Sequence, residues 1–160
     1  MGLRVRPMKV GEEDAVAVLI RQMPKDIGLD VVPLITGQNL RECKDVARVT
    51  VIEDTGQMLG VCLWAMTYSS WRGCRGIYIS DLYVMPFARG KQVGEKLLIE
   101  TIREAQKHGA GFIKMEVDET NHSAARFYER LGFKHKNDDR IFILEPDAFA
   151  NLAKVVVHHR

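Results

Sequence analysis

Cysteine is scarce in this chain of 160 residues. Cys43, Cys62 and Cys74 are the only three, and none is spaced as a CxxC pair or a metal-ligand set. That excludes a disulfide framework and gives no reason to expect a metal, and it points to a reduced, cytoplasmic protein. Long apolar runs are missing too, and the first residues, Met1 to Arg6, hold no apolar signal region, so neither a membrane span nor a leader peptide is expected. Charge of one sign is also lacking: 23 Lys and Arg face 21 Asp and Glu for a net charge of +2, interspersed rather than clustered. Neither nucleic acid nor a membrane surface is an expected partner. With no linker, repeat or low-complexity stretch, residues 1–160 read as a single domain large enough to bury its own core.

What is there is an alternation of strand and helix patterns, which reads as an α/β chain. A short strand is expected over residues 3–8. A helix over 12–23 places Val16, Leu19, Ile20 and Met23 on one face before Pro24 stops it. Thr36 is a helix N-cap. Residues 48–53 and 58–68 flank Asp54-Thr55-Gly56-Gln57 as a hairpin. A central strand over 76–84, a helix over 92–108 closed by Gly109, a strand over 112–117 and a helix over 121–131 ended by Gly132 follow. Residues 133–136 and 140–144 are expected to finish the sheet, and 147–157 to form a short helix or strand. The apolar Val155-Val156-Val157 tail suits an ordinary sheet edge, core packing or a homodimer contact.

The most informative stretch is Val84-Met85-Pro86-Phe87-Ala88-Arg89-Gly90-Lys91-Gln92-Val93-Gly94-Glu95, which runs from a strand through a basic, glycine-bearing loop into a helix. The first main-chain N–H groups of a helix have no partner within it and carry partial positive charge, and Arg89 and Lys91 add full charges beside them. Such a junction suits phosphate. A solvated basic loop is the plainer reading, but Gly90 and Gly94 favour a close-approaching anion.

Arg89, Gly90 and Gly94 match the Arg/Gln-x-x-Gly-x-Gly/Ala loop of the GCN5-related N-acetyltransferases. Downstream, Asn121, Ala124, Phe127, Tyr128, Gly132 and Phe133 resemble that family's Asn-x-x-Ala-x-x-Phe-Tyr-x-x-x-Gly-Phe segment. The resemblance covers roughly residues 3 to 144 and implies a mixed, mostly antiparallel sheet flanked by helices, with acetyl-CoA as cosubstrate and an amine as acceptor. It implies that the main chain of Leu82, Tyr83 and Val84 pairs with the pantetheine arm, helped by a β-bulge near Leu82. Residues 89–95, including Lys91, Gln92, Val93 and Glu95, would hold the pyrophosphate. Gln92 stands where the family usually has glycine. Asn121 would touch CoA, act as an N-cap, or do both.

Amine acetylation needs a proton acceptor and a proton donor. An alkylamine of pKa ~10.4 lies about three pH units from its nucleophilic form at pH 7, or ~4 to 5 kcal/mol. A phenol of pKa ~10 can protonate a departing thiolate without being ionised itself. The resemblance gives that role to Tyr128, whereas an amphipathic helix alone would use Phe127 and Tyr128 as packing. Glu116 and Asp81 are candidate bases, each otherwise an ordinary solvated or ion-paired strand residue. His108 and His122 are weaker alternatives.

For the acceptor, Thr67-Tyr68-Ser69-Ser70-Trp71 and Ile79-Ser80-Asp81-Leu82-Tyr83-Val84-Met85 are similar to segments of the spermidine/spermine and thialysine acetyltransferase branch. Ser69 and Ser80 stand where that branch has carboxylates, which weakens a polyamine substrate. Tyr68 and Trp71 could present π faces to an ammonium or pack on the core, and Asp81 could border the acceptor. The expected acceptor is a small-molecule amine, with a peptide or protein amine next, and a noncatalytic acyl-CoA-binding module as the reading that does not need Tyr128.

Overall fold

The computed structural model describes residues 2–155 and 157. Five strands, β1 (Leu3–Pro7), β2 (Arg48–Asp54), β3 (Gln57–Ser69), β4 (Cys74–Val84) and β5 (Ala110–Met115), form one sheet in the order β1-β2-β3-β4-β5. The first three pairings are antiparallel and β4 pairs β5 in parallel, so the sheet is mixed and mostly antiparallel. The parallel step needs a crossover, which is supplied by α3 (Val93–Gln106).

Helices cover both faces. From α1 (Glu13–Asp26) and α2 (Gly37–Glu42), Val16, Leu19, Ile20 and Leu40 pack on Val49, Val51, Val61 and Tyr83. Alternation turns Thr50, Cys62 and Trp64 to the other face, where the Cys62 thiol meets Thr101 of α3 and the Trp64 indole N–H donates to Thr50 Oγ1 at 3.1 Å. Burial raises the Cys62 thiol to about 12, so it is an inert core group. Each buried branched side chain contributes ~1.5–3 kcal/mol relative to exposure, and this two-sided burial gives the sheet its position between the helices.

Thr36 caps α2 as expected, in a reciprocal capping box with Asn39. Pro24 does not stop α1. The helix runs on to Asp26, because a proline in the last turn removes only the bond its missing N–H would have made to Ile20, while its own carbonyl accepts from Ile27 and Leu29. Those three extra residues carry Asp26 to the end of β4, where it meets Tyr83 and Arg89. β5 ends at Met115, which leaves Glu116 and Asp118 in the following loop rather than on the strand. No helix among the described residues is long and apolar enough to cross a membrane.

The chain divides into two compact units, one up to Asn121 and one from His122. The second holds α4 (His122–Arg130) and α5 (Pro146–Ala153), the latter settling the C-terminal segment as helix; Val156 of the apolar tail lies outside the described residues. The strands expected over 133–136 and 140–144 do not form: the described chain there is irregular, and Ile141, Phe142 and Ile143 are exposed. β-propensity expresses packing on a neighbour more than an intrinsic preference. The short Phe133-Lys134-His135-Lys136 segment, with its alternating cations, offers little to pair with, and an isolated two-stranded ribbon is marginal.

Candidate active site

The site is built on the second half of β4. Leu63 of β3 pairs with Asp81 but Trp64 pairs with Ile79, so Ser80 is the extra residue of a β-bulge. The bulge was expected near Leu82 and stands two residues earlier. It has two consequences. Pairing with β5 stops at Ile79 opposite Met115, so β4 continues to Val84 with that edge unpaired by any strand among the described residues. The bulge also shifts the strand's phase: Tyr78 opposite Ala65 and Asp81 opposite Leu63 lie on the same face, since Leu63 and Ala65 are two apart on β3.

Asp81 is partly buried, and burial lifts its carboxyl above the ordinary aspartate range. Tyr78 is raised as well, first by burial, then by the Glu116 carboxylate within hydrogen-bonding reach, and lastly by Asp81. Two carboxylates therefore act on one phenol here. Tyr78 was not among the residues expected from sequence. Its signal was present in the apolar phase of the strand, which runs Ile77, Ile79 and then Leu82, Val84, a slip of one that marks the bulge.

Beyond Val84 the chain makes a single helical turn over Pro86–Ala88 and enters α3. Gly90 takes φ +83°, and Gln92 takes the left-handed conformation at φ 59°, ψ 18° as the N-cap of α3. The family's usual glycine at this position is thus explained by backbone conformation as well as by room for a ligand. No side chain caps α3, which leaves the N–H groups of Val93, Gly94 and Glu95 turned outward; the Val93 side chain itself is buried, so only its main chain is available. Lys91 is exposed and lines a cleft of about 340 Å³ with Phe87, Leu59 and Asp54. An uncapped helix N-terminus next to an open strand edge fits a ligand that is anionic at one end and amide-bearing along its length.

Arg89 is placed differently from Lys91. Its Nε donates to the Val84 carbonyl at 2.9 Å, its Nη2 donates to Asp26 Oδ2 at 2.9 Å, and its guanidinium stands 5.6 Å from the Tyr83 ring centre. The Tyr83 hydroxyl donates to the same Asp26 oxygen at 2.6 Å, and burial with that hydrogen bond pushes Tyr83 up to about 12. Tyr83 is therefore a structural phenol as well as a strand-edge residue. Leu82 is partly buried between it and Asp81 in sequence.

Tyr68, near the end of β3, and Trp71, in the β3–β4 turn, are solvent-exposed, Trp71 almost completely at 98%, so neither ring is core packing. Alternation along β3 sets Tyr68 on the opposite face from Asp81. Asn121 ends the first unit, its N–H donating to the Asp118 carbonyl at 2.9 Å. In the second unit Tyr128 lies on α4 with its ring 5.1 Å from Phe127 and 5.2 Å from Phe133, and the helix closes at Gly132 with φ +102°.

Comparison with known proteins agrees with this geometry. The profile described as "Acetyltransferase (GNAT) family" matches residues 20–133. The thialysine N-epsilon-acetyltransferase of Mus musculus is 30% identical over 99 residues, 60% of this chain and 58% of that protein. The streptothricin acetyltransferase of Streptomyces lavendulae is 31% identical over 117 residues, 72% of this chain and 57% of that protein. The chain thus spans a little over half the length of these relatives. Among solved structures, an integron cassette protein from the mobile metagenome of V. cholerae superposes with a TM-score of 0.76 at 20% identity, covering 97% of this chain and 99% of that one. An aminoglycoside acetyltransferase from an uncultured soil metagenomic sample, in complex with sisomicin, gives 0.73 at 15% identity, covering 90% and 96%. At those identities the structures establish the fold.

Proposed function

Because this chain belongs to the GNAT family of acetyltransferases, we propose that it transfers the acetyl group of acetyl-CoA to a primary amine of a small molecule, by direct attack within a ternary complex. The observation that carries this reading is the continuity of the open β4 edge, the glycine-bearing loop and the uncapped start of α3. The N–H groups of residues 93–95, with Lys91, would bind the pyrophosphate, and the main chain of Leu82 and Tyr83 would pair with the pantetheine amides. The names of the relatives, thialysine and streptothricin acetyltransferases, favour a small amine over a peptide.

Acetyl-CoA supplies an activated thioester carbonyl. The amine must arrive neutral, and its proton goes to Asp81, directly or through one water. The raised Asp81 carboxyl supports this choice over an ordinary surface aspartate, since a stronger base is a better proton acceptor. Glu116, beside Tyr78, would hold that phenol and tune the local charge. The amine nitrogen forms the new C–N bond as the C–S bond breaks, and the departing thiolate takes a proton from Tyr128, the phenol that the family pattern assigns. Trp71 would border the acceptor with an exposed aromatic face, whereas Tyr68, on the sheet face opposite Asp81, does not stand beside that carboxylate.

The test is steady-state turnover of Tyr128→Phe beside wild type. A fall in kcat of about 10²-fold or more with CoA affinity unchanged fits a general acid. Equal kcat removes Tyr128 from the mechanism.

A further inference from the structure

The loop carries two cations, and they are held in different ways. Lys91 is exposed and is joined to no carboxylate among the described residues, whereas Arg89 is engaged from three directions: the Val84 carbonyl, the Asp26 carboxylate and the Tyr83 ring. A guanidinium has a rigid fork of donors, and here one arm is fixed on the strand and another on the helix. The Arg89–Asp26 pair is partly screened, with side-chain exposures of 48% and 21%, and the Tyr83 hydroxyl on the same carboxylate oxygen makes it a three-membered cluster rather than a lone surface pair. Asp26 is the last residue of α1, and α1 packs on the sheet face that carries Tyr78 and Asp81.

We propose that Arg89 is a positioning residue, not a phosphate ligand: it ties the C-terminal end of α1 to the turn between β4 and α3, so that the acceptor-side helix and the phosphate loop hold one another in place. This rests on the reading of the loop as the acetyl-CoA site. Three consequences follow from the contacts. The positive charge of Arg89 is balanced by Asp26, which leaves Lys91 and the main-chain N–H groups to attract the anion. The Val84 carbonyl is occupied by Arg89 Nε and is withdrawn from ligand pairing, so strand-edge recognition falls to Leu82 and Tyr83. And the path from residue 84 to residue 89 is closed into a ring by that same bond, supported by the Ala88 N–H on the Met85 carbonyl and the Met85 N–H on the Leu59 carbonyl, which fixes where the N–H groups after it point.

The two roles for Arg89 predict opposite signs at Asp26. If Asp26 were merely holding back a phosphate ligand, removing its carboxylate would release Arg89 and tighten CoA binding. If the cluster positions the loop, removing either partner loosens it.

The experiment is calorimetric titration of CoA into wild type, Asp26→Ala, Arg89→Gln, the double variant and the milder Tyr83→Phe, with amide hydrogen exchange on the same unliganded proteins. The expected result is a 5- to 30-fold loss of CoA affinity in each of the first two, a double variant no weaker than the worse single, and a smaller loss in the same direction for Tyr83→Phe. Exchange should quicken at residues 27–32 and 86–92 in both single variants. Tighter or unchanged CoA binding in Asp26→Ala, or losses that add in the double variant, would overturn the proposal. A wild type that does not bind CoA contradicts the proposed function instead, and exchange that quickens on only one side of the cluster then overturns the tie as well.

Discussion

Tyr78 and Asp81 are three residues apart on one strand yet share a face of the sheet, because Ser80 is the extra residue of a bulge. The bulge joins two requirements: it ends the pairing with β5, freeing a strand edge, and it turns a carboxylate towards the face covered by α1 and α2. Deleting Ser80 should restore a regular ladder with Asp81 still opposite Leu63, and let the straightened β4 continue its pairing with the chain after β5, closing the strand edge. The deletion variant is expected to fold and lose amine acetylation, with CoA binding weakened, as read by circular dichroism, titration and turnover.

Asp81→Asn should separate stability from activity. The folded-state carboxyl lies above its unfolded value, so the folded protein holds that proton more tightly. The associated stability is full below the unfolded pKa and is lost as pH rises through the folded one. Above its raised folded-state pKa Asp81 is a partly buried charge, so in that pH range the amide is expected to raise the melting temperature while cutting kcat about 10²- to 10⁴-fold. The acid limb of wild-type kcat/KM should fall above the ordinary aspartate value of ~3.9 and vanish in the variant.

Glu12 gives the opposite sign. Arg6 donates to both its oxygens, at 2.8 and 2.9 Å, and also to Glu53 at 2.7 Å, and these bonds hold the Glu12 carboxyl below its ordinary range. Its stability is present above the unfolded value of ~4.3 and is lost as pH falls through the lower folded one. Glu12→Gln should cost about 1–2 kcal/mol at pH 7, after allowance for its partial exposure, and less as pH drops below 4. Urea melts at pH 7 and pH 3 check this.

Gln92 occupies left-handed backbone at φ 59°, where a side chain is strained by about 1 kcal/mol or more. Gln92→Gly is expected to gain up to about 1 kcal/mol after the entropic cost of glycine and to bind CoA more tightly. The β-branched Gln92→Val should lose about 1–2 kcal/mol. Thermal melts with and without CoA separate the two effects.

Trp71 is exposed at the tip of the β3–β4 turn, so Trp71→Ala should leave stability within about 0.5 kcal/mol. Raised KM for the amine with unchanged kcat is the result expected of a ring that borders the acceptor, measured by initial rates over an amine titration.

How much of this was legible in the sequence depends on where the information lay. The strand-loop-helix at residues 84–95 was readable because a basic loop with Gly90, which takes φ +83°, running into a helix start is a local pattern. Thr36 and the turn at Thr55-Gly56 were readable for the same local reason. Asp26 was not legible as the partner of Arg89, since that contact depends on α1 passing through Pro24 and reaching across 63 residues of sequence. The segment over 133–144 carried strand-like residues without a local signal of what would pair with them, and propensity alone gave the wrong structure. Tyr78 was hidden because strict alternation set it opposite Asp81; only the slip from Ile77 and Ile79 to Leu82 and Val84 disclosed the bulge.

The most direct measurement is CoA thiol release from acetyl-CoA, with product mass, across lysine analogues, aminoglycosides, streptothricin-like amines, polyamines, amino acids and N-terminal peptides. The account predicts thiol release matched by a product heavier by one acetyl group with at least one small primary amine, lost in Asp81→Asn. A protein that binds acetyl-CoA but acetylates only peptides would contradict the acceptor class, and one that binds no acetyl-CoA would contradict the account as a whole.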